Sequence, residues 1–325
     1  MRKVDKTDKS GYYIIIMKEY DLFTDEIYIS EGLAVAIGNF DGVHIAHKAL
    51  IKALVATARD RGVSSAVFTF ESDDNPKKDA SRLMTDEKRS SLLSSLGVDL
   101  LIKVPFGKIK NISAEKFISE ILLKKLKAKV IVCGYDFRFG KGGKGNIDTL
   151  KATLPQSVSV IALDCVRIDN EAVSSTRIRN LLQSGDIAGT NRLLGHKFSI
   201  DGEIVRGARI GHTLGVPTIN VIYPEKLTLT PFGVYISLVN VEGKVYKAVT
   251  DIGKKPTVGS DFVVAETHIL GDCGELYGKF AEISLISFVR KEEKFESLEA
   301  LKLQLQKDIS SVEKFFAENG ENYDA

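Results

Sequence analysis

The chain predicts an α/β half followed by a β half: a parallel sheet with helices on both faces, then an antiparallel barrel with one terminal helix. Three observations carry this. Up to about residue 190, apolar runs of strand length alternate with segments of helical spacing, the pattern of a doubly wound sheet. Beyond about Leu194, apolar runs follow one another with only turn signals between them, such as Asp201-Gly202, Glu242-Gly243 and Gly271-Asp272-Cys273-Gly274, which is the texture of a barrel. One amphipathic segment, Ser297 to Ile309, closes the pattern before a polar tail.

The elements follow in order. Leu33 to Phe40 is a continuous apolar run, as expected of a strand buried on both faces. Lys48 to Arg61 sets Ala49, Leu50, Ala53, Leu54 and Ala58 at helical spacing, Gly62 stops it, and Val63 to Phe70 is the next strand. That is a βαβ unit. Asp86 to Leu96 reads as a helix and Leu100 to Val104 as a strand. Ser113 to Leu126 is a helix with Ser113 as its N-cap. Val130 to Gly134 and Val158 to Leu163 are strands. Ser174 to Leu182 opens a helix with Ser-Ser-Thr, and Gly185 closes the element. In the second half Phe198–Val205, Val216–Ile222, Gly233–Val241, Lys244–Ile252, Val263–Ile269 and Ala281–Phe288 are strand-like. The boundary falls near residue 190, giving domains 18–190 and 191–312, with no long Pro/Gly/Ser linker and no internal repeat.

Composition narrows the function classes. A chain of 325 residues, 27% charged and 44% apolar, fits about two ordinary globular domains. A net charge of +2 gives no electrostatic argument for a nucleic-acid partner, and Lys124, Lys125, Lys127 and Lys129 read as a solvated helix face. Cys133, Cys165 and Cys273 are odd in number and far apart, which fits neither a disulfide framework nor a zinc site and points to the reducing cytoplasm. No apolar run approaches the ~20 residues of a membrane span. Tyr12 to Met17 is shorter than the ~7–15-residue apolar core of a secretion signal, and Met17 is an alternative start for the chain. The oligomeric state is not legible.

Four segments carry chemistry. In Gly38-Asn39-Phe40-Asp41-Gly42-Val43-His44-Ile45-Ala46-His47 an apolar strand ends in a glycine-bounded loop, and two imidazoles meet a helix N-terminus. Helix dipole and unpaired N–H groups there favour phosphate. Ser174-Ser175-Thr176-Arg177-Ile178-Arg179 combines hydroxyl caps with forked donors, which is either a phosphate contact or an ordinary cap with surface arginines. Gly134-Tyr135-Asp136-Phe137-Arg138-Phe139-Gly140 and the glycine-lysine run to Gly145 follow a strand, as a ligand loop or a mobile surface loop. In the second half, Gly207, Gly211 and Gly215 run into Val216-Pro217-Thr218-Ile219-Asn220. Thr218 and Asn220 alternate along a strand and share a face, where a hydroxyl and an amide oxygen could help hold Mg²⁺ beside substrate phosphates.

Together these segments resemble the bacterial bifunctional riboflavin kinase/FAD synthetases. Gly38 to His44, Asp136 to Gly140 and Ser174 to Arg179 match motifs of their FMN adenylyltransferase domain, a member of the nucleotidyltransferase superfamily marked by His-x-Gly-His. Gly215-Val-Pro-Thr-Ile-Asn220, Phe232-Gly-Val-Tyr235, Asp251-Ile-Gly-Lys-Lys-Pro-Thr257, Glu266-Thr-His268, Leu276-Tyr-Gly-Lys279 and Phe288-Val-Arg290 match the riboflavin kinase domain in order. The resemblance covers roughly residues 18–312. It implies a Rossmann-like nucleotidyltransferase followed by a riboflavin-kinase barrel, converting riboflavin to FMN and FMN to FAD with ATP and Mg²⁺. It implies that His44 and His47 meet ATP phosphates, with Gly38, Asn39, Phe40, Asp41, Asp136, Ser175, Thr176 and Arg179 around the nucleotide. In the kinase it implies Glu266 as acceptor of the hydroxyl proton and Thr218 and Asn220 as Mg²⁺ ligands. Gly207, Gly211 and Gly215 would form the loop over the phosphates, and Arg290 and Phe295 would lie at the flavin.

Five positions depart from the family pattern. Ala46 stands for the glycine of His-x-Gly-His. Ser72-Asp-Asp-Asn75-Pro76 stands for a Pro-His-Pro-like turn. Gly143 stands where an arginine is frequent, and His212 and Ile219 depart without removing a reactive group. Two other readings remain at this stage: a riboflavin kinase with a weak or inactive adenylyltransferase, and a non-catalytic flavin- or nucleotide-binding regulator. Intact Thr218, Asn220 and Glu266 argue against the regulator.

Overall fold

The computed structural model describes residues 6–7, 13–14, 17–70, 81–207, 215–257 and 260–320, without the side chains of 6–7, 13–14 and 255–261. By their contacts the described residues form two units: those up to residue 70 with Asp86–Ser174, and Ser81–Thr85 with Ser175 onward.

The first unit runs β1 (Lys18–Asp21), β2 (Leu33–Ile37), α1 (Ile45–Asp60), β3 (Ser64–Phe70), α2 (Asp86–Ser95) and β4 (Leu100–Val104). It continues with α3 (Ala114–Lys116, carried on as a π-helix over Phe117–Lys125), β5 (Ala128–Gly134), α4 (Ile147–Thr153) and β6 (Ser159–Leu163). The strands pair in the order β1-β4-β3-β2-β5-β6, every pair parallel. All five residues of β2 are buried, as the unbroken apolar run predicts for a central strand. The chain leaves β2 toward β3 on one side, and β5 later pairs on the other. Ligands of open α/β sheets bind beyond the strand ends at such a reversal.

Two differences from the sequence reading bear on the site. The strand stops at Ile37, because the chain turns sharply: Phe40, Gly42 and Val43 have φ of 52°, 83° and 35°. The helix starts at Ile45 rather than Lys48, because His44 caps it, so His47 lies inside the first turn. Ser113 caps α3 as predicted, accepting from the Lys116 N–H at 3.3 Å. The polar edge strand β1 and the short helix α4, closed by an Asn146–Thr149 capping box, gave no periodic signal. The stretch Ser72–Pro76 lies outside the described residues, as does most of 1–16.

The second unit runs α5 (Ser175–Ser184), α6 (Ile187–Leu194), β7 (Ser199–Val205), β8 (Ile219–Ile222), β9 (Gly233–Val241), β10 (Lys244–Thr257), β11 (Ser260–Ile269), β12 (Phe280–Lys291) and α7 (Leu298–Asn319). The six strands form a closed barrel in the order β7-β8-β11-β10-β9-β12, all antiparallel, with β12 returning to β7. Pro217 has no N–H to give a ladder, and β8 begins after it, so Thr218 sits just ahead of the strand. Side chains alternate between the two surfaces of the wall. One surface carries the fully buried Ser237, Thr250 and Thr267, whose hydroxyls join at 2.7 and 2.9 Å. The other carries Val234, Ile236, Leu238, Val249 and Ile286, which pack with Val312 and Phe316 of α7. Burying Val312 and Phe316 contributes roughly 1.5–3 kcal/mol each. Helix α7 starts at a Ser297 cap, as predicted, and runs on to Asn319, past the predicted end at Ile309.

Candidate active sites

In the first unit the loops after β2 and β5 leave two neighbouring strands at the sheet reversal. The His44 side chain closes α1 by accepting from the His47 N–H at 3.3 Å through Nδ1, which leaves its Nε2 to carry the proton when neutral. The His44 and His47 rings stack with centroids 3.6 Å apart and planes 16° off parallel. Phe40 is buried and its ring lies 5.2 Å from that of His47, so it backs the imidazole pair. The Nδ1 of His47 is buried without a hydrogen-bond partner. Burial first, and then the charge of His44, holds the His47 imidazole well below the ordinary histidine value. Positive φ at Phe40 and at the β-branched Val43 stores strain of order 1–3 kcal/mol at each.

That strain is held by a network the sequence gave no sign of. The Asn39 carbonyl accepts from Thr69 Oγ1 at 3.2 Å and from Arg89 Nη1 at 3.1 Å. Arg89, only 2% exposed, also donates to the Phe70 carbonyl at 3.3 Å and pairs with Asp86 at 2.8 Å. Helix α2 thereby fixes the loop that aims the histidines. Gly38 donates to the Phe68 carbonyl at 3.1 Å, and Asp41 is 5% exposed.

The loop after β5 is tied rather than open. Phe139 and Gly145 exchange backbone bonds at 3.1 and 2.9 Å, and Phe139 packs on Phe117. Gly140 has φ 72°, and a Cβ there would meet the Ala114 backbone at 2.8 Å, so only glycine fits. Asp136 stands exposed at the mouth of this loop. Ser175, Thr176 and Arg179 lie on α5, which groups with the second unit, where Arg179 Nε donates to the Ser81 carbonyl at 2.6 Å.

In the second unit Thr218 and Glu266 meet directly, Thr218 Oγ1 donating to Glu266 Oε1 at 2.8 Å. Glu266 stands opposite Asn220 on β8 and opposite Asp251 on β10. Val234 stands opposite both Asp251 and Arg290. Asn220, Glu266, Asp251, Val234 and Arg290 thus form one row across five adjacent strands. Gly207 lies against Asn220: a Cβ at Gly207 would come within 2.5 Å of the Asn220 amide nitrogen. Gly215 has φ 80°, a glycine conformation. Gly211 and His212 lie outside the described residues.

A cavity of about 270 Å³ opens beside this row. Thr218, Asp251, Glu266 and His268 line it from the barrel, Phe295 from the following loop, and Leu301, Leu305 and Ile309 from α7. Arg290 binds Asp308 of α7 with two of its nitrogens, and its carbon Cζ lies 5.8 Å from the Phe295 ring centre. This bonding to Asp308 raises the Arg290 pKa above its ordinary value. From the sequence Asp251 is marked only as part of a matched motif and Asp308 not at all, since strand register and helix docking bring them here. Among the described residues no cluster of three histidine, cysteine, aspartate or glutamate side chains could hold a metal. Thr218 and Asn220 offer neutral oxygens instead, and Gly207 leaves Asn220 a cradle that any side chain would fill.

Residues 27–177 match the family model described as FAD synthetase, and residues 194–316 the one described as riboflavin kinase. The bifunctional riboflavin kinase/FMN adenylyltransferase of Escherichia coli strain K12 is 34% identical over 294 residues, 88% of this chain and 93% of that protein. Its namesake from Listeria monocytogenes is 31% identical over 309 residues, 93% of this chain and 98% of the relative. A solved structure described as a macrolide-efflux protein from Streptococcus pneumoniae superposes with a TM-score of 0.81 at 27% identity, covering 92% of this chain and 99% of the other. Among the described residues no helix is long and apolar enough to cross a membrane.

Proposed function

Because the chain belongs to the bifunctional riboflavin kinase/FMN adenylyltransferase family, we propose that it makes FAD in two ATP-dependent steps. Residues 191–312 transfer the γ-phosphoryl group of ATP to the 5′-hydroxyl of riboflavin. Residues 18–190 join the resulting FMN to the adenylyl group of a second ATP and release pyrophosphate. The single observation that carries the kinase reading is the Thr218–Glu266 hydrogen bond of 2.8 Å beside a cavity of flavin-compatible lining.

In the kinase step the attacking hydroxyl must lose a proton as its oxygen bonds to phosphorus, and Glu266 is the carboxylate placed to accept it. Thr218 orients that carboxylate. Thr218 and Asn220 are hard oxygen donors of the kind Mg²⁺ prefers, leaving its other positions to phosphates and water. When bound, the ion would neutralise charge on the ATP phosphates. The roles of Gly207, Gly211 and Gly215 in a loop over those phosphates rest on their motif. Phe295, Leu301 and Leu305 supply an apolar bed for the isoalloxazine ring.

The adenylyl step needs no base, since the FMN phosphate attacks as an anion. Positioning and charge stabilisation therefore supply the rate. The N-terminus of α1, with His44 and His47, holds the phosphates of ATP as charge gathers on pyrophosphate. Gly38, Asn39, Phe40 and Asp41 shape that pocket, and Asp136 borders it. The roles of Ser175, Thr176 and Arg179 as phosphate contacts rest on their motif. Riboflavin, FMN, FAD and ATP are the proposed partners, and the three unbridged cysteines support a cytoplasmic setting.

Incubating the protein with riboflavin, ATP and Mg²⁺ and resolving the flavins by chromatography tests both steps. FMN followed by FAD is expected. FMN alone would reject the adenylyl step, and unchanged riboflavin would reject the kinase step on which the order depends.

A further inference from the structure

The cross-strand row that carries Glu266 ends at Arg290, and there it connects to the helix over the cavity. Arg290 Nε lies 3.0 and 3.2 Å from the two Asp308 carboxylate oxygens, and Nη2 lies 2.7 Å from Oδ2. Its third nitrogen, Nη1, donates to the Lys291 carbonyl at 3.0 Å. Asp308 is 3% exposed, and its Oδ1 also accepts from Gln304 at 2.9 Å. Every nitrogen of the guanidinium therefore already has a protein partner, and the forked geometry is spent on a buried carboxylate.

Helix α7 is held differently along its length. Beyond the ion pair, Val312 and Phe316 are embedded in the apolar cluster on the barrel wall. Before it, Leu301 and Leu305 face the cavity, while Leu298 and Leu303 are 61% and 60% exposed. The Arg290–Asp308 pair stands at the join between the anchored half and the half that covers the cavity. An isoalloxazine ring offers carbonyl oxygens to a guanidinium, but the Arg290 nitrogens are already bonded to Asp308 and the Lys291 carbonyl.

We propose that Arg290 and Asp308 are positioning residues: together they latch the first half of α7 as the roof of the flavin pocket, and Arg290 acts on riboflavin through the helix rather than as a ligand. This rests on reading the cavity as the flavin site. A latch and a ligand behave oppositely when Asp308 is changed. Asp308→Asn frees the Arg290 fork, which would improve a direct ligand but releases a roof.

The test uses the full-length protein, riboflavin binding followed by flavin fluorescence, steady-state FMN formation, and hydrogen exchange of backbone amides. Asp308→Asn and Arg290→Lys should each weaken riboflavin binding and raise KM about tenfold, the size of losing a hydrogen bond to a charged group. The double variant should be no worse than either single one, because both break the same pair. The turnover number should stay within about twofold, since the groups that act at the reacting hydroxyl are untouched. Amides of residues 298–308 should exchange faster in both variants, with 312–319 unaffected. Unchanged or tighter binding in Asp308→Asn overturns the proposal, as do additive losses in the double variant or unchanged exchange over 298–308. If Asp308→Asn does not fold, Arg290→Lys keeps the charge, lacks the fork, and is read in the same way. A wild-type protein that binds no riboflavin would sink the kinase reading instead, and the exchange comparison would still decide whether the latch exists.

Discussion

Replacing Glu266 with glutamine isolates the base from the scaffold. The Thr218 hydroxyl donates to Glu266 Oε1 at 2.8 Å, and a glutamine carbonyl oxygen can accept the same bond. Glu266 is half-buried, and its backbone stays paired between β8 and β10. The fold should therefore change in stability by no more than about 1 kcal/mol, the worth of one neutral hydrogen bond. What glutamine cannot do is take a proton. Positioned general bases contribute about 10²–10⁴ in rate, or roughly 3–5 kcal/mol of barrier. The expected result is FMN formation slower by that factor, with KM for riboflavin and ATP within a few-fold. FAD formation from supplied FMN serves as the internal control, because it does not use Glu266. Both are read by chromatography of the flavins over time, beside a thermal melt. Kinase turnover within tenfold of wild type would refute the assignment of Glu266 as base. Loss of both activities in a folded variant would refute the separation of the two reactions.

Three further outcomes follow from the geometry. Gly207→Ala should slow the kinase and raise its Mg²⁺ requirement, because the new methyl displaces the Asn220 amide that it would otherwise approach to 2.5 Å; a Mg²⁺ titration superimposable on wild type would contradict the role of Asn220. Ala46→Gly should speed adenylyl transfer if the methyl crowds the nucleotide at the first turn of α1, at a cost of up to about 1 kcal/mol in helix stability; an unchanged rate would remove that explanation for the departure from His-x-Gly-His. His47 is held well below its ordinary value by burial and by His44, so the folded chain binds fewer protons there than the unfolded one. Its contribution to stability is fully present above the unfolded pKa of about 6.5 and is lost as pH falls below it. The melting temperature should drop between pH 7.5 and 5.5, and His47→Gln should flatten that slope; equal slopes would show that His47 titrates normally.

The sequence exposed what is periodic or local. The unbroken run in β2, the helical spacing of α1 and the turn-separated strands after Leu194 fix both halves of the fold, since each burial pattern has one compatible period. The cap at Ser113 and the turn glycine Gly215, with its φ of 80°, were legible for the same local reason. The start of α1 was misread because His44 is an uncommon cap: its ring nitrogen does the work usually given to serine or aspartate, four residues before the predicted start at Lys48. Contacts set by tertiary docking left no trace. Arg89 reads as an ordinary charge on a polar helix, yet it is buried against the Asn39 carbonyl. Asp308 is distant in sequence from Arg290 and meets it only because α7 docks on the barrel, and Asp251 joins the same row only because β10, β9 and β12 lie side by side.

The two sites solve different electrostatic problems, and the difference explains what each keeps. A kinase acting on a neutral hydroxyl must create a nucleophile, and the proposed base, Glu266, is a carboxylate held by a hydrogen bond from Thr218. An adenylyltransferase acting on a phosphate receives its nucleophile ready-made and must tolerate the meeting of two anions. Its site correspondingly offers donors: a helix N-terminus, and imidazoles stacked over a loop held in strained conformations. A doubly charged imidazole pair at 3.6 Å would be self-repelling, and the depressed His47 value avoids it. On the proposed reading, the helix N-terminus and at most one protonated histidine carry the positive side of the interaction. The burden on loop geometry is correspondingly greater in the first unit, where a buried arginine ties the Asn39 turn to the end of β3 and to α2.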